Sequence, residues 1–439
     1  MEISNNLEQA LKALGIQELN AMQEATLKAT NGDEDLVLLS PTGSGKTIGF
    51  LLPLLKRLKK EEKDIQALVM VPSRELALQI EQVFRKMSTG FKVLSVYGGH
   101  SVHVELKSLV EPPAVLVGTP GRLKELLRRE SLSFDHLQVL VFDEFDKSLE
   151  FGFWEDIEEI LYDVPSDVYK ILTSATKAVD IPDFVNLYKS QTLNFLSDTL
   201  PKGLTLHALK AEKNDKLDAL LRLIGTFNNE QAIIFCNHRA AVDRIGEHLE
   251  ENEIHFDSFH GGLAQDVRER SLLKFRNGSI QYLLTTDLAA RGLDIPEIKH
   301  IVHYQLPQTE DAYIHRNGRT ARMHAEGKAY LVCSEDEEMP KYVKQQLTWI
   351  DMPQAIILPD DPEWATLYFS GGKKHKINKI DIVGLLSKKG KLGRDEVGLI
   401  EVKDFSSYAA VKRDKVQKVM KLIRNEKVKK QKLKIEIAK

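Results

Sequence analysis

A glycine-rich loop between an apolar strand and a helical stretch carries residues suited to binding phosphate. In the segment LVLLSPTGSGKTIGF, Gly43 and Gly45 have no side chains, so backbone N–H groups can approach phosphate oxygens closely. Lys46 can reach the β- and γ-phosphates of a nucleotide, and the Thr47 hydroxyl can bind Mg²⁺. The strict pattern has Gly where this chain has Ser40, but Gly-Lys-Thr in this context is a strong signal. The predicted nucleotide contacts in the loop are Thr42, Gly43, Ser44, Gly45, Lys46 and Thr47.

Three carboxylates follow a second apolar strand, in the segment VLVFDEFDKS. Asp143 stands where the strand ends, so it can hold the nucleotide-bound metal directly or through water. Glu144 can orient and deprotonate an attacking water molecule. A solvated turn is the alternative reading, and the phosphate loop in the same domain disfavours it. Phe145, which lies among the acids, is expected to be a packing residue of the core.

Alternating strand and helix patterns must position these residues. Six β-rich runs occur in residues 1–203, with helical stretches between them, and most of these runs stop at a polar or glycine-containing cluster. This rhythm predicts a parallel sheet with helices on both faces, whose ligands bind at the carboxyl ends of the strands. Residues 204–356 repeat the pattern, and we expect a second α/β domain there. The joint near SDTLPKGLT contains two helix and strand breakers, proline and glycine.

A smaller domain is predicted beyond a proline-containing linker at residues 357–365. Residues 366–439 show four strand patterns and two helical stretches in the order β-α-β-β-α-β. This order is typical of a small split βαβ fold. The domain holds 21 Lys and Arg against 8 Asp and Glu, a balance of +13, while the whole chain has a net charge of −3. A basic tail domain on an acidic body indicates a polyanion partner, and nucleic acid is favoured over a merely soluble lysine-rich surface.

The composition is that of an ordinary globular protein of two or three domains, with 439 residues, 42% of them hydrophobic. No apolar run approaches the roughly 18 residues that a membrane helix needs. The N-terminal segment MEISNNLEQA has no secretory pattern, so we expect a cytoplasmic protein. Cys236 and Cys333 lie in apolar, strand-like segments, which favours buried reduced thiols over a disulfide or a zinc site.

With both phosphate-related motifs in view, the chain resembles the DEAD-box RNA helicases over essentially its whole length. The segment LGIQELNAMQEATL is similar to the family's adenine-reading segment, with Gln23 in the position that contacts the base, although Leu19 and Asn20 replace the usual Pro and Thr. The resemblance implies two tandem RecA-like domains with ATP and Mg²⁺ as cofactors. In the first domain it implies RNA-backbone contacts at Pro72, Arg74, Gly98, Gly99, Thr119, Pro120, Gly121 and Arg122. It also implies that Asp146 pairs with Ser174 or Thr176 and couples the ATP site to RNA.

The second domain carries further family motifs. By resemblance, its RNA contacts are Gln265, Arg268, Thr285, Asp287 and Arg291, and Asp294 contacts the ribose of ATP. In the segment YIHRNGRTAR, Arg319 and Arg322 are implied to reach the γ-phosphate, and Asn317 and Ala321 replace the usual Ile and Gly. Together with Lys46, Asp143 and Glu144, these two arginines complete the expected catalytic set. RNA bound to both domains would favour their closure, which would couple ATP hydrolysis to local strand separation.

The last domain resembles the RNA-binding domain of DbpA-type helicases, an RRM-like fold that directs such enzymes to ribosomal RNA. The matching segments are GGKK, DIVG and VGLIEV. The usual stacking aromatics of RRM domains are absent apart from Tyr408, so we expect basic side chains to contact RNA phosphates. These predicted contacts are Lys373, Lys374, Lys376, Lys412, Arg413 and Lys415. A protein-docking module with a basic surface is the alternative.

The leading hypothesis is a monomeric, RNA-stimulated ATPase and helicase that unwinds structured ribosomal RNA during assembly of the large ribosomal subunit. An ATP-gated RNA clamp without productive unwinding would need the same motifs and is the alternative. A DNA translocase is a third option, which predicts DNA-stimulated ATPase activity.

Overall fold

The computed structural model describes residues 5–41, 43–99, 101–150, 152–176, 181–196, 203–212, 215–290, 298–320, 326–429 and 431–438. These residues fall into two units, the first containing residues 5–196 and the second residues 203–290 and 298–438. Each unit is built on a parallel sheet, and the second also contains the basic tail domain.

The described part of the first unit forms a sheet of seven strands in the order β3-β4-β2-β5-β6-β1-β7, all parallel. The strands are β1 (Leu36–Leu39), β2 (Ala67–Met70), β3 (Val93–Val96), β4 (Val115–Gly118), β5 (Val139–Phe142), β6 (Tyr169–Ser174) and β7 (Gln191–Asn194). The helices are α1 (Asn5–Ala13), α2 (Ala21–Ala29), α3 (Lys46–Arg57), α4 (Arg74–Lys86), α5 (Val102–Leu109), α6 (Pro120–Arg128), α7 (Phe145–Glu150) and α8 (Trp154–Leu161).

Helices cover both faces of this sheet because its strands are apolar on both sides. Along β5, Val139 and Val141 face one core cluster, while Leu140 and Phe142 face the other. Continuous apolar runs of this kind are expected for a parallel sheet that is buried on both faces. The strand order places β6 between β1 and β5, so the loops after these three strands meet at one edge of the sheet.

The second unit repeats the architecture, with seven described strands in the parallel order β10-β11-β9-β12-β13-β8-β14. These strands are β8 (Leu204–Ala211), β9 (Ala232–Phe235), β10 (Phe256–Phe259), β11 (Tyr282–Thr285), β12 (His300–His303), β13 (Gly327–Ser334) and β14 (Thr348–Trp349). The helices are α9 (Lys216–Ile224), α10 (Arg239–Glu251), α11 (Gln265–Arg276) and α12 (Glu310–Asn317). Cys236 and Cys333 are free and buried, as predicted, and burial raises the pKa of the Cys236 thiol to about 12.

The tail domain has the predicted β-α-β-β-α-β order, with a small additional hairpin before its last strand. Its described elements are β15 (Trp364–Phe369), α13 (Lys379–Gly384), β16 (Val397–Val402), β17 (Ser407–Lys412), α14 (Val416–Ile423), β18 (Lys427–Val428), β19 (Gln431–Lys432) and β20 (Ile435–Ile437). The main sheet is antiparallel in the order β16-β17-β15-β20. One face of it, including Leu367, Phe369 and Val411, packs with the helices into the core of the domain.

The other face of the tail sheet packs on α11 of the same unit. Tyr408 and Ala438 form an apolar cluster with Leu273 of α11, and Tyr368 packs against this cluster. The Tyr368 and Tyr408 rings are directly opposite each other across β15 and β17, with centroids 5.5 Å apart. At the end of α11, Asn277 Nδ2 donates to Thr366 Oγ1 at 2.7 Å. The sheet of the tail domain is therefore a docking face for the neighbouring parallel-sheet domain.

Among the helices that the structure describes, none is long and apolar enough to cross a membrane.

Candidate nucleotide and RNA sites

The phosphate loop lies between β1 and α3, as predicted, and its conformation depends on its glycines. Gly43 and Gly45 have φ angles of 78° and 86°, in the left-handed region that glycine adopts without strain. A Cβ atom at Gly45 would lie 2.6 Å from Gln23 Nε2, so a side chain at this position would also collide with α2. Lys46 is buried, and its Nζ donates to the carbonyl oxygen of Ser40 at 2.8 Å. The lysine is thereby held over the loop that would surround the phosphates.

Asn20 and Gln23 connect the phosphate loop to the start of α2. Asn20 caps the helix: its Oδ1 accepts from Gln23 N, and Gln23 Oε1 accepts in turn from Asn20 N. Asn20 Nδ2 also donates to Ser44 O at 2.9 Å, and Gln23 Nε2 donates to Gly45 O at 3.3 Å. The role of Asn20 was missed in the sequence, although Asn-x-x-Gln before an apolar helix is a recognisable capping box. The adenine contact of Gln23 stays a prediction.

Asp143 and Glu144 lie beside the phosphate loop because β5 and β1 flank β6. Asp143 is buried and its Oδ1 accepts from Thr173 Oγ1 of β6 at 2.5 Å. Burial raises the pKa of Asp143, while the Thr173 hydroxyl and the positive charge of Lys46 oppose this shift. Thr173 Oγ1 also accepts from Glu144 N at 3.2 Å. Thr173 thus positions both predicted acids, a role that no local pattern around it indicated.

The backbone of Glu144 is itself unusual, with a φ angle of 51°. This left-handed conformation is uncommon for residues other than glycine, and it occurs often at functional sites. Oxygen ligands suit Mg²⁺, and the Asp143 carboxylate and the Thr47 hydroxyl supply such ligands. The residues present therefore fit a nucleotide-bound magnesium ion.

Phe145 is a core residue, as predicted. Only 1% of it is exposed, and its ring makes an edge contact with Phe142 at a centroid distance of 5.2 Å. It begins α7, so the acids before it face the edge of the sheet while the ring enters the core.

The coupling segment after β6 forms its own local structure. Ser174 Oγ donates to Thr176 O at 2.9 Å and accepts from Thr176 N at 3.0 Å. The expected bond from Asp146 to one of these hydroxyls stays a prediction.

The predicted RNA contacts of the first unit lie at the same edge of the sheet. Arg74 is the first residue of α4, and its guanidinium lies against Gly98 and Gly99, where a Cβ at Gly99 would collide with it. The segments of Pro72 and of Gly98-Gly99 are thereby brought together. Thr119 is the N-cap residue of α6, which starts with Pro120 and Gly121.

Arg122 forms a buried ion pair that sequence reasoning missed. Its Nη1 lies 2.8 Å from Oε2 of Glu105 on α5, and both side chains are almost fully buried. Oε1 of Glu105 accepts from the backbone N–H of Tyr97, directly before Gly98. Arg122 is therefore linked through Glu105 to the segment before Gly98, and its RNA contact stays a prediction.

In the second unit, Gln265 and Arg268 lie together at the start of α11. Oε1 of Gln265 accepts from Arg268 Nη2, and the Arg268 guanidinium lies over the Phe259 ring at 6.0 Å. Thr285 is fully buried and donates to Phe259 O at 2.7 Å. The ends of β10 and β11 thus bring three predicted RNA contacts close to one another.

Arg316 connects the remaining motifs of this unit. It is fully buried and donates to Asp287, to Gln305 O and to Asn237 Oδ1. Arg319 lies two residues beyond the end of α12, after the C-cap residue Gly318, and is 4% exposed. The residues Thr42, Arg291, Asp294 and Arg322 lie outside the described residues.

The predicted tail contacts separate into two groups. Lys373, Lys374 and Lys376 are exposed in the loop after β15. Lys412 lies at the opposite end of the sheet, where it pairs with Glu363 and its Nζ lies 4.6 Å from the centroid of the Trp364 ring. Lys415 at this end pairs with Asp414 and Glu396.

Arg413 also belongs to this second group, and its guanidinium donates to three carbonyl oxygens, those of Pro362, Ser279 and Trp364. The structure thus shows Arg413 joining the linker and the tail to the parallel-sheet domain, and its RNA contact stays a prediction.

Comparison with known families gives a match for each part of the chain. Residues 20–184 match the DEAD/DEAH box helicase family, residues 215–324 the helicase conserved C-terminal domain, and residues 366–437 the DbpA RNA binding domain. The chain is 31% identical to the ATP-dependent RNA helicase DbpA of Bacillus subtilis, over 99% of this chain and 98% of that relative. It is 32% identical to eukaryotic initiation factor 4A of Caenorhabditis elegans, over 81% of this chain and 91% of that relative.

Solved structures give similar matches. One is S. cerevisiae Dbp5 bound to RNA and ADP BeF3, with a TM-score of 0.71 and 26% identity, covering 79% of this chain and 94% of that one. Another is Mss116p bound to ssRNA and AMP-PNP, with a TM-score of 0.68 and 25% identity, covering 76% of this chain and 73% of that one.

Proposed function

This chain belongs to the DEAD-box family of ATP-dependent RNA helicases, and we propose that it couples ATP hydrolysis to local unwinding of structured ribosomal RNA during assembly of the large ribosomal subunit. It is an RNA-binding enzyme that hydrolyses ATP, and residues 366–437 form a DbpA-type RNA-binding domain. The observation that carries the proposal is the meeting of Lys46, Asp143 and Glu144 at neighbouring strand ends of the first unit.

In the proposed mechanism, the N–H groups of the phosphate loop bind the phosphate oxygens of ATP. Lys46 leaves the carbonyl of Ser40 and binds the β- and γ-phosphates. Thr47 and Asp143 would hold Mg²⁺, which neutralises charge on the phosphates when it is bound. Glu144 accepts a proton from the water that attacks the γ-phosphorus, while the bond from the γ-phosphorus to the β-phosphate oxygen breaks and ADP leaves.

Arg319 and Arg322 are proposed to stabilise the charge on the transferring phosphoryl group. Arginines in this role are worth roughly 10³–10⁵ in rate where they have been measured. We assign Asp294 to the ribose and Gln23 to adenine. In both parallel-sheet domains, we propose that RNA is contacted by the residues that match the RNA-binding motifs of the family.

The tail domain supports the choice of RNA. Its net charge of +13 suits a highly charged polyanion, and its sequence matches the DbpA RNA binding domain family. The assignment to ribosomal RNA follows from the resemblance to DbpA-type helicases. We further propose that the enzyme acts as a cytoplasmic monomer.

Two variants and one pair of assays test the proposal. Lys46→Ala should abolish ATP turnover. Glu144→Gln should bind ATP but hydrolyse it about 10²–10⁴-fold more slowly, the usual contribution of a general base. It should also stay on RNA longer than the native enzyme does, since the closed state would accumulate.

Displacement of a short RNA duplex, measured beside ATPase activity, separates unwinding from clamping. ATP-dependent RNA binding without displacement would mean that the protein is a clamp. Stimulation by DNA as strong as by RNA would favour a translocase. Crosslinking to cellular RNA and sequencing of the bound fragments tests the ribosomal target, and fragments without ribosomal enrichment would exclude it.

A further inference from the structure

We propose that an unpaired RNA base stacks on Phe405, in a basic and aromatic surface of the tail domain formed by the loops 372–376 and 403–405 and by Lys429. This surface, the loop patch, would bind a single-stranded RNA loop or junction. The inference deepens the proposed function and rests on it, because it concerns how the tail domain selects the RNA that the enzyme acts on.

The three segments of the loop patch are held together by hydrogen bonds, two between backbone groups and one from a lysine side chain to a backbone oxygen. Lys373 N donates to Lys403 O at 2.8 Å, and Lys374 N donates to Asp404 O at 2.9 Å. Lys429 Nζ donates to Lys376 O at 2.6 Å. A surface built on several bonds of this kind presents its side chains in a defined arrangement, as selective binding of a nucleotide requires.

Phe405 is the feature of this patch that protein packing does not explain. It is 67% exposed, although exposing a phenyl ring to water is unfavourable. Its one described ring contact is with His375, at a centroid distance of 6.1 Å and an interplanar angle of 76°. Every base has a π-face, so an exposed ring among cations is a common platform for single-stranded RNA.

The face by which RRM domains usually stack bases is not accessible here. Tyr408 is 7% exposed and is covered by Leu273 of α11, and Thr366 is bonded to Asn277 and Ser279. Among the described residues of the tail domain, Phe405 is the only large aromatic residue whose side chain is exposed. We therefore place base stacking in the loop between β16 and β17, at the ends of the strands, rather than on the face of the sheet.

The charges around Phe405 suit a phosphate backbone. Lys373, Lys374, Lys376 and Lys429 are exposed. Two carboxylates lie near them: Asp404 is exposed next to Phe405, and Asp381 pairs with Lys429 at 2.9 Å. Lys403, the fifth cation of the patch, pairs with Glu269, so five cations face three acids and the patch retains an excess of positive charge.

The patch is also continuous with RNA contacts predicted for the parallel-sheet domain. Gln265 Nε2 donates to Glu269 Oε1 at 3.3 Å on the first turns of α11. Glu269 pairs with Lys403, whose carbonyl oxygen accepts from Lys373 N. One strand of RNA could therefore contact Gln265 and Arg268 and continue over the loop patch. Lys412 lies at the far end of β17 from the loop patch. At ~3.3 Å per residue, the strand places it about 17 Å from Ser407, so Lys412 is not part of this RNA-binding surface.

The test compares binding of three RNAs by the full chain without nucleotide: a hairpin with a single-stranded loop, the same stem as a blunt duplex, and an unstructured single strand. The hairpin carries a fluorescent base analogue in its loop. Phe405→Ala should weaken binding of the hairpin and the single strand about 5- to 150-fold, the effect of removing one base–aromatic stack of ~1–3 kcal/mol. Duplex binding should stay within about twofold, and Phe405→Tyr should restore loop binding and the fluorescence change.

Two control variants accompany the test. Tyr162→Ala removes another exposed aromatic ring, 81% exposed in the first unit, and should leave all three affinities unchanged. Lys374→Ala should weaken binding of the hairpin and of the duplex alike. It should also lower by about one the number of counterions released on binding, which is read from the slope of log K against log salt concentration. The Phe405→Ala variant should also unfold at the same midpoint denaturant concentration as the native protein, because the Phe405 ring lies largely outside the core.

The outcomes separate the two proposals. RNA-stimulated ATPase activity in the native protein with unchanged loop binding in Phe405→Ala would overturn the stacking site alone, and the patch would then suit an acidic protein partner. Equal weakening of hairpin and duplex by Phe405→Ala would also overturn it. A native protein without RNA-stimulated ATPase activity would instead overturn the proposed function.

Discussion

Arg316 and Asp287 form a bidentate ion pair at the centre of the second unit, with Nε 2.6 Å from Oδ1 and Nη2 3.2 Å from Oδ2. The guanidinium is fully buried, whereas about half of the carboxylate is exposed. The same guanidinium also donates to Gln305 O at 2.8 Å and to Asn237 Oδ1 at 2.7 Å. One arginine therefore fixes the loops that follow β9, β11 and β12, and with them the backbone from which RNA and phosphate contacts are proposed to project.

Arg316→Lys should destabilise the second unit by about 2–5 kcal/mol. A lysine keeps the charge but cannot supply the planar set of donors, so acceptors in the three loops lose their partners and the buried cation keeps fewer hydrogen bonds. Denaturant unfolding of the variant checks this value. Arg244→Lys, a change at an exposed arginine of the same domain, serves as the control and should cost less than about 0.5 kcal/mol. Equal stability of the two variants would contradict the role of Arg316 as a structural centre.

Asn20 has two separable roles, and two substitutions distinguish them. Asn20→Ala removes the helix cap, at a cost of about 0.5–2 kcal/mol, and also the bond to Ser44 O. Asn20→Ser keeps a capping oxygen but has no amide donor. We expect both variants to bind a fluorescent nucleotide more weakly and only the alanine variant to lose stability. Native nucleotide affinity in Asn20→Ala would show that the tether to the phosphate loop is unimportant.

Phe145→Ala should lower the free energy of unfolding of the first unit by about 3–5 kcal/mol, because a fully buried ring leaves a cavity. At a temperature where the variant stays folded, its ATPase activity should remain near the native value, since the acids that precede it keep their bonds to Thr173. Phe145→Leu is the matched control and should lose less stability. Collapse of turnover in folded Phe145→Ala would instead mean that the ring shapes the active site.

Thr366→Val tests the docking of the tail domain. Its hydroxyl contacts Asn277 Nδ2 at 2.7 Å and Ser279 Oγ at 2.8 Å, and all three groups are buried. Valine has a similar volume but leaves these partners unsatisfied, which costs about 1–3 kcal/mol. Hydrogen exchange should therefore become faster in β15 and at the end of α11. The exposed Thr348→Val should have no such effect, and unchanged exchange in Thr366→Val would argue against docking through this contact.

Much of the candidate site could be predicted from the sequence because its chemistry is carried by short contiguous segments. The phosphate loop, the acids after β5 and the order of elements in the tail domain depend on neighbouring residues, where glycine conformation and hydrophobic periodicity act locally. Phe145 also belongs here, since an apolar ring next to acids at a strand end has few places to lie except in the core.

The partners of these residues depended on the tertiary structure. Thr173 reaches Asp143 because β6 pairs with β5, and Glu105 of α5 meets Arg122 of α6 although β4 lies between these helices in the chain. Each contact joins segments that are distant along the chain, so only the strand order and the packing of the helices can specify it. The exposure of Tyr408 and Phe405 likewise depends on the tertiary structure. Two aromatic residues three positions apart differ in exposure, at 7% and 67%, because one faces α11 and the other lies in a loop at the sheet edge.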